Sequence, residues 1–202
     1  AIELTPDGHN LWNLQFGMAR LLNQESRFPE AEAMLEDIVN SGSTDPQTWV
    51  ELGKAQEGSR HYSKAVANFQ KVLAQEPDHL EANYYLASSL RNLGRRDEAI
   101  ARMNHLLTRT DSALDPSPPR IQQYRARLRQ FLGVLYQETG QHGKSIELFQ
   151  RLCADQPDDV QAKLGLVYAL KGGDRLKEAR LLSSQLLEDQ PGNAHVLIMH
   201  AR

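Results

Sequence analysis

The sequence predicts an all-α chain built from short, paired helices, and three observations predict it. Apolar residues recur at helical spacing in stretches of about a dozen residues, too short to be stable alone in water. Turn-forming residues separate these stretches. The whole pattern then returns every 34 residues over most of the chain, as expected of stacked units whose core is a line of small interfaces.

The most regular stretch runs from Pro46 to His79. Trp49, Leu52, Gly53 and Gln56 stand at i, i+3, i+4 and i+7, one face of a helix. Asp45 is placed to cap that helix, with Pro46 in its first turn, where a missing N–H costs little. Glu57-Gly58-Ser59-Arg60 breaks the pattern. Tyr62, Ala65, Val66, Phe69, Val72 and Leu73 form a second stripe. Pro77 ends it, and Asp78 is expected to cap the next helix. Gly53 costs about 1 kcal/mol against alanine in mid-helix, which a close helix crossing would offset.

The order Trp49, Leu52, Gly53, Tyr62, Ala65, Phe69, Pro77 resembles the tetratricopeptide repeat (TPR), a helix-turn-helix unit of 34 residues. The resemblance implies an all-α TPR solenoid, a right-handed α-α superhelix whose first helices line a concave face. It covers nearly the whole chain as a single array, with units at about 10–45, 46–79, 80–113, 126–159 and 160–193.

The units follow in order. Ala1 to Asp7 resembles the end of a unit, like Val72 to Asp78. In the first complete unit Met18, Ala19 and Leu22 match Leu52, Gly53 and Gln56; Phe28, Ala31 and Leu35 match Tyr62, Ala65 and Phe69. This unit is longer by about one helical turn, and Trp12 is expected on the longer first helix. The third unit keeps register through Leu86, Ala87, Leu90, Gly94, Ala99 and Met103. An insertion at about 114–125 follows. Pro116, Pro118 and Pro119 prevent continuous helix there, while helix from Pro119 to Thr139 is expected to lengthen the next first helix by two or more turns. Leu132, Gly133, Tyr136, Gly140, Ser145, Phe149 and Pro157 restore the pattern, and Leu166, Val167, Leu170, Ala179 and Pro191 continue it. Asn193 is placed to cap a last helix, Ala194 to Arg202. The partial units at both ends suggest a piece cut from a longer array.

Composition narrows the function classes. The formal charge of −3 argues against a general nucleic-acid binder. The 34-residue period also differs from the 35 of pentatricopeptide RNA binders. No apolar run approaches the ~20 residues of a membrane span. Cys153, the single cysteine, allows no disulfide within these residues and no cysteine metal cluster, and reads as a small core residue. Gly143-Lys144-Ser145 lacks the preceding strand and the glycine of a phosphate loop, Glu138 standing in the glycine's place. His195 and His200 are five apart, off the same-face spacing of a metal pair. His79, His105 and His142 read as surface residues. No catalytic set, cofactor site or metal site emerges.

The function read from the resemblance is a non-catalytic scaffold that binds a protein or peptide segment in its concave groove. On that face, by repeat register, fall Phe16, Arg20, Asn23, Lys54, Tyr84, Arg91, Arg127, Gln130, Tyr168 and Lys171, joined by Glu57 and Glu81. Aromatic residues would anchor the segment; Arg, Lys, Asn and Gln would bond its backbone and carboxylates. Phe28, Tyr62, Phe69 and Phe149 read as core. Chaperone-binding members of the family use a lysine–asparagine clamp; Phe16, Arg20, Glu51, Glu81 and Tyr85 at those positions do not make one. Arg120, Arg125, Arg127 and Arg129 form either a docking site for an acidic partner or a solvated helix face. The alternative role is the interaction segment of a larger enzyme or of a secretion or assembly machine. End-to-end self-association is a further expectation, through Ile2, Leu4, Val196, Leu197 and Met199.

Overall fold

A computed structural model describes residues 6–111 and 119–201. Among them are eleven α-helices and no strand: α1 Pro6–Gln24, α2 Phe28–Asn40, α3 Pro46–Gly58, α4 Tyr62–Gln75, α5 Leu80–Asn92, α6 Arg96–Asp111, α7 Pro119–Glu138, α8 His142–Asp155, α9 Val160–Gly172, α10 Leu176–Asp189 and α11 Ala194–Ala201. They form two compact units that divide between Ala99 and Ile100. Sequence neighbours pack on one another within each: α1 to α5 in the first, α7 to α11 in the second.

The core of the first unit follows from the helical stripes. Ala19, Ala31, Leu35, Ile38, Leu52 and Ala55 cluster, with Trp12, Phe16 and Trp49 packed against them. Phe69 is fully buried, contributing about 1.5–3 kcal/mol. Its ring explains Gly53: a Cβ there would stand 2.6 Å from the ring carbons Cε1 and Cζ. A polar bond crosses the same hairpin, Asn68 donating to Gln56 at 2.7 Å in a buried setting. Buried Glu32 on α2 is held by His61 Nδ1 at 2.9 Å and by Lys64 at 3.4 Å.

In the second unit Ile146, Phe149, Leu152, Ala162, Leu164, Val167, Leu170 and Leu186 form the core. Phe149 lies between two glycines; Cβ atoms at Gly133 and Gly165 would stand 2.7 and 2.3 Å from opposite edges of its ring. Ser145, fully buried, donates to the Gly133 carbonyl at 2.9 Å, and Asn104 bonds the Tyr136 hydroxyl at 2.9 Å. Cys153 is half-buried against the core.

The hairpin turns share one backbone feature. Ser26, Arg60, Gly94, Gly140 and Asp174 hold matching repeat positions, and all have φ between +59° and +78°. This left-handed region favours glycine, yet three of the five are not glycine.

The lengthened helices are where the sequence placed them. α1 has 19 residues and carries Trp12, and α7 has 20, against 13 in α3, α5 and α9. Asp45 caps α3, accepting from the Thr48 N–H at 3.1 Å, and Asn193 caps α11 through the His195 N–H at 3.0 Å.

Five expectations need correction. His79, not Asp78, caps α5; its Nδ1 accepts from the Ala82 N–H at 3.1 Å, so it is no idle surface histidine. His142 is half-buried, its ring against Gly172. Met18 is 56% exposed although its counterpart Leu52 is buried, because Leu52 packs on α2 and no described element precedes α1. Leu11, Leu14 and Leu21 are exposed with it. Val196, expected at an exposed end, is 1% exposed and belongs to the second core; Leu197 is exposed, while Ile2, Leu4 and the Met199 side chain lie outside the described residues. Finally, Arg125 donates to the Thr110 carbonyl and Arg129 pairs with Asp155, so neither is simply a solvated residue. Residues 114–118 of the insertion lie outside the described residues.

Candidate functional site

The first unit contains a cleft of about 540 Å³. Three successive first helices wall it from their middles to their C-terminal ends: α1 through Arg20, Asn23 and Gln24, α3 through Glu51, Lys54, Glu57 and Gly58, and α5 through Tyr85 and Asn92. Phe28 and Tyr62, the first residues of α2 and α4, complete it. These residues come together because the 34-residue register places equivalent turns side by side, so residues far apart in sequence share one wall.

Charge in the cleft is organised around Glu51, which is only 6% exposed. Lys54 donates to it at 3.0 Å, Asn23 Nδ2 at 2.9 Å, and Arg20 approaches at 3.8 Å. Lys54 also donates to Glu81 at 3.1 Å. Burial works against the Lys54 charge, but Glu51 and then Glu81 outweigh it and hold the ammonium above the ordinary lysine range. The Lys54 ammonium also lies 5.8 Å from the Tyr85 ring centre. Burial is the main cause that raises the Tyr85 phenol.

Glu57 is different. Burial pushes its carboxyl above the usual glutamate range, and the Ser88 hydroxyl, donating to it, only partly opposes this. Among the described residues no lysine or arginine pairs with it. Asn23 adds a second acceptor, its Oδ1 buried without a hydrogen-bond donor.

Of the ten residues placed on the groove face by register, Arg20, Asn23 and Lys54 line this cleft. Phe16 packs against the first core, with the Arg20 guanidinium 5.9 Å from its ring centre. Tyr84 meets Tyr85 edge-on at 5.6 Å, and Tyr85 is the one that lines the cleft. Arg91 lies in the last turn of α5, one residue before the lining Asn92. Gln130 and Tyr168 line a smaller pocket of about 190 Å³ in the second unit, with Phe149, Gln161, Leu164, Gly165 and His195. Arg127 is exposed on α7, and Lys171 is half-buried in the last turn of α9. Phe28 and Tyr62, read from sequence as core, are half-buried cleft walls. Tyr85 carried a signal, since it stands 34 residues after Glu51. Among the described residues no group of His, Cys, Asp or Glu is arranged to hold a metal ion, and no helix is long and apolar enough to cross a membrane.

Helical hairpins packed in succession at a fixed register define a helical-repeat protein. Two tetratricopeptide repeat family models match residues 58–128 and 132–194, together more than half of the chain, and the chain belongs to the tetratricopeptide repeat family. Among solved structures, it resembles a putative kinesin light chain from Podosopora anserina with nearly identical TPR-like repeats (21% identity, 94% of each chain covered, TM-score 0.71). It resembles a tetratricopeptide repeat protein from Parabacteroides merdae (16% identity, 94% of this chain and 71% of that one, TM-score 0.78). MamA 41-end from Desulfovibrio magneticus RS-1 is similar as well (20% identity, 91% and 97% covered, TM-score 0.74). At these identities the likeness shows the fold alone. Comparison with curated proteins gives no match. The fold supports a protein-interaction scaffold role in general, and repeat proteins of this kind are generally non-catalytic.

Proposed function

We propose that this chain is a scaffold that binds a segment of a protein partner, extended or helical, in the cleft of its first unit. The observation that carries the reading is the cleft itself, walled by three successive first helices, with aromatic rings where the second helices begin. Phe28, Tyr62 and Tyr85 offer apolar anchoring surface, and the two tyrosines add a hydroxyl. Gln24 and Asn92 offer exposed amides suited to a backbone. A groove lined by both rings and amides suits the way extended segments are held elsewhere.

Site-specific photocrosslinking tests it. A benzoylphenylalanine at Gln24 or Asn92, both exposed and on the cleft wall, is compared with one at Gln70, exposed on α4. The expected result, in lysate of the native host, is a protein adduct from the first two positions that excess unlabelled chain suppresses, and none from Gln70. Equal adducts from all three positions would refute the cleft as the binding surface.

A further inference from the structure

The repeat register supplies an internal comparison for Glu57. The same place near the end of a first helix is held by Asn23, Glu57, Arg91, Gln137 and Lys171, and two of these five are amides. Asn23 Nδ2 donates to the Glu51 carbonyl at 3.1 Å, 28 residues on. Gln137 Nε2 donates to the Gly165 carbonyl at 3.0 Å, again 28 residues on. Where the place holds an amide, that amide bonds the next first helix. The matching acceptor for position 57 is the Tyr85 carbonyl. An ionised carboxylate has no proton to give it. Glu57 thus replaces a group that would tie two helices together with one that only accepts.

The surrounding charges sharpen the point. Arg20 and Lys54, the cations on the cleft wall, both face Glu51, and Lys54 is shared with Glu81. They are poorly placed to receive a partner's carboxylate. Glu57 is the carboxylate left over, half-buried and hydrogen-bonded by Ser88, with Phe28 and Tyr62 from α2 and α4 and Tyr85 and Asn92 from α5 around the same cleft. A half-buried carboxylate among aromatic rings suits an ammonium or guanidinium, whose charge meets the carboxylate while its methylene stem lies along the rings.

We propose that the cleft selects segments carrying an arginine or lysine, and that Glu57 receives that cationic side chain. The proposal rests on the cleft being the binding surface. It reverses the sequence expectation that the cleft cations bond carboxylates of the partner.

The test uses a phage-displayed library of random peptides panned on the full chain. Enriched peptides are then measured by fluorescence polarisation and by amide chemical-shift mapping, on the parent chain and on Glu57→Gln. Gln137 shows that the fold accepts an amide at this place, so Glu57→Gln is expected to stay folded. The expected result is enrichment of peptides with Lys or Arg beside apolar residues, shifts at Gln24, Tyr85 and Asn92, and affinity lower by about 10- to 100-fold on Glu57→Gln. Replacing the peptide's cation with norleucine should cost the parent a similar factor and cost Glu57→Gln little. Enriched acidic peptides that shift the same amides would overturn the charge assignment and leave the cleft reading intact, as would basic peptides that bind Glu57→Gln unchanged. A panning that yields no binder shifting those amides would overturn both.

Discussion

Phe149 and its two glycines give a quantitative test of the packing. Replacing Gly165 with alanine puts a Cβ within 2.3, 2.6 and 2.7 Å of three ring carbons. Ordinary contact begins at 3.4 Å, so the ring or a helix must move by about 1 Å. The ring is 1% exposed and cannot swing into water. Its opposite edge faces Gly133, where the hypothetical Cβ contact is 2.7 Å, so only the missing Cβ of Gly133 leaves it any room. Overpacking of this kind costs about 1–3 kcal/mol, while alanine gains about 1 kcal/mol over glycine in mid-helix. The net is a loss of about 0–2 kcal/mol; the shorter contact places Gly165→Ala toward the upper end and Gly133→Ala lower, and the double variant should lose more than the sum, because the ring's escape is closed. Phe149→Leu in the Gly165→Ala background should recover part of the loss. Urea unfolding followed by circular dichroism measures this. Both tryptophans, Trp12 and Trp49, lie in the first unit, so their fluorescence serves as an internal control. The dichroism midpoint of the second unit should fall while the tryptophan midpoint holds. A Gly165→Ala chain as stable as the parent would refute the close-packing account.

Three other outcomes are expected. Glu51→Gln removes a buried carboxylate that gathers Lys54 and Asn23, and should lose about 1–3 kcal/mol in urea unfolding read by tryptophan fluorescence; a neutral result would show that the pairing adds nothing. Glu57, with its pKa raised in the fold, binds a proton more readily folded than unfolded, so its ionisation costs stability once the pH exceeds its raised value. That cost should fade as pH drops through the raised value toward the ordinary glutamate range. Glu57→Gln should accordingly equal or exceed the parent in melting temperature at pH 7, with the difference shrinking toward acid, where Glu51 and Glu81 protonate alike in both chains. Burial raises the Cys153 thiol, so iodoacetamide at pH 8 should modify it several-fold more slowly than N-acetylcysteine.

The helices, their register and the glycine crossings were legible in the sequence because each depends on period and residue size alone. A close helix crossing was expected at Gly53, and the large ring of Phe69 is what fills it. The cap of α5 was misread because Asp78 is the commoner capping residue, whereas the chain enters the helix one residue later, at His79. The cleft was half legible. Neighbouring residues on a helix point about 100° apart, and a face wide enough to line a groove takes in both, so register alone does not separate Tyr84 from Tyr85, or Arg91 from Asn92. The charge pattern was not legible at all. Lys54 looked available to a ligand until the fold brought Glu81, 27 residues away, to within 3.1 Å. Met18 shows the same limit from the other side, since burial requires a neighbour and its own residue type cannot supply one.

The left-handed turn residues have a consequence for redesign. Ser26, Arg60 and Asp174 adopt a conformation that costs an L-residue about 1–2 kcal/mol where glycine adopts it freely. The same bend forms with serine, arginine, glycine or aspartate at its tip, so the helices on either side dictate it and the tip residue merely tolerates it. These three tips are therefore dials for heat resistance. Glycine installed at them one at a time should harden the scaffold in steps, leaving the cleft chemistry free to be re-engineered for other cargo.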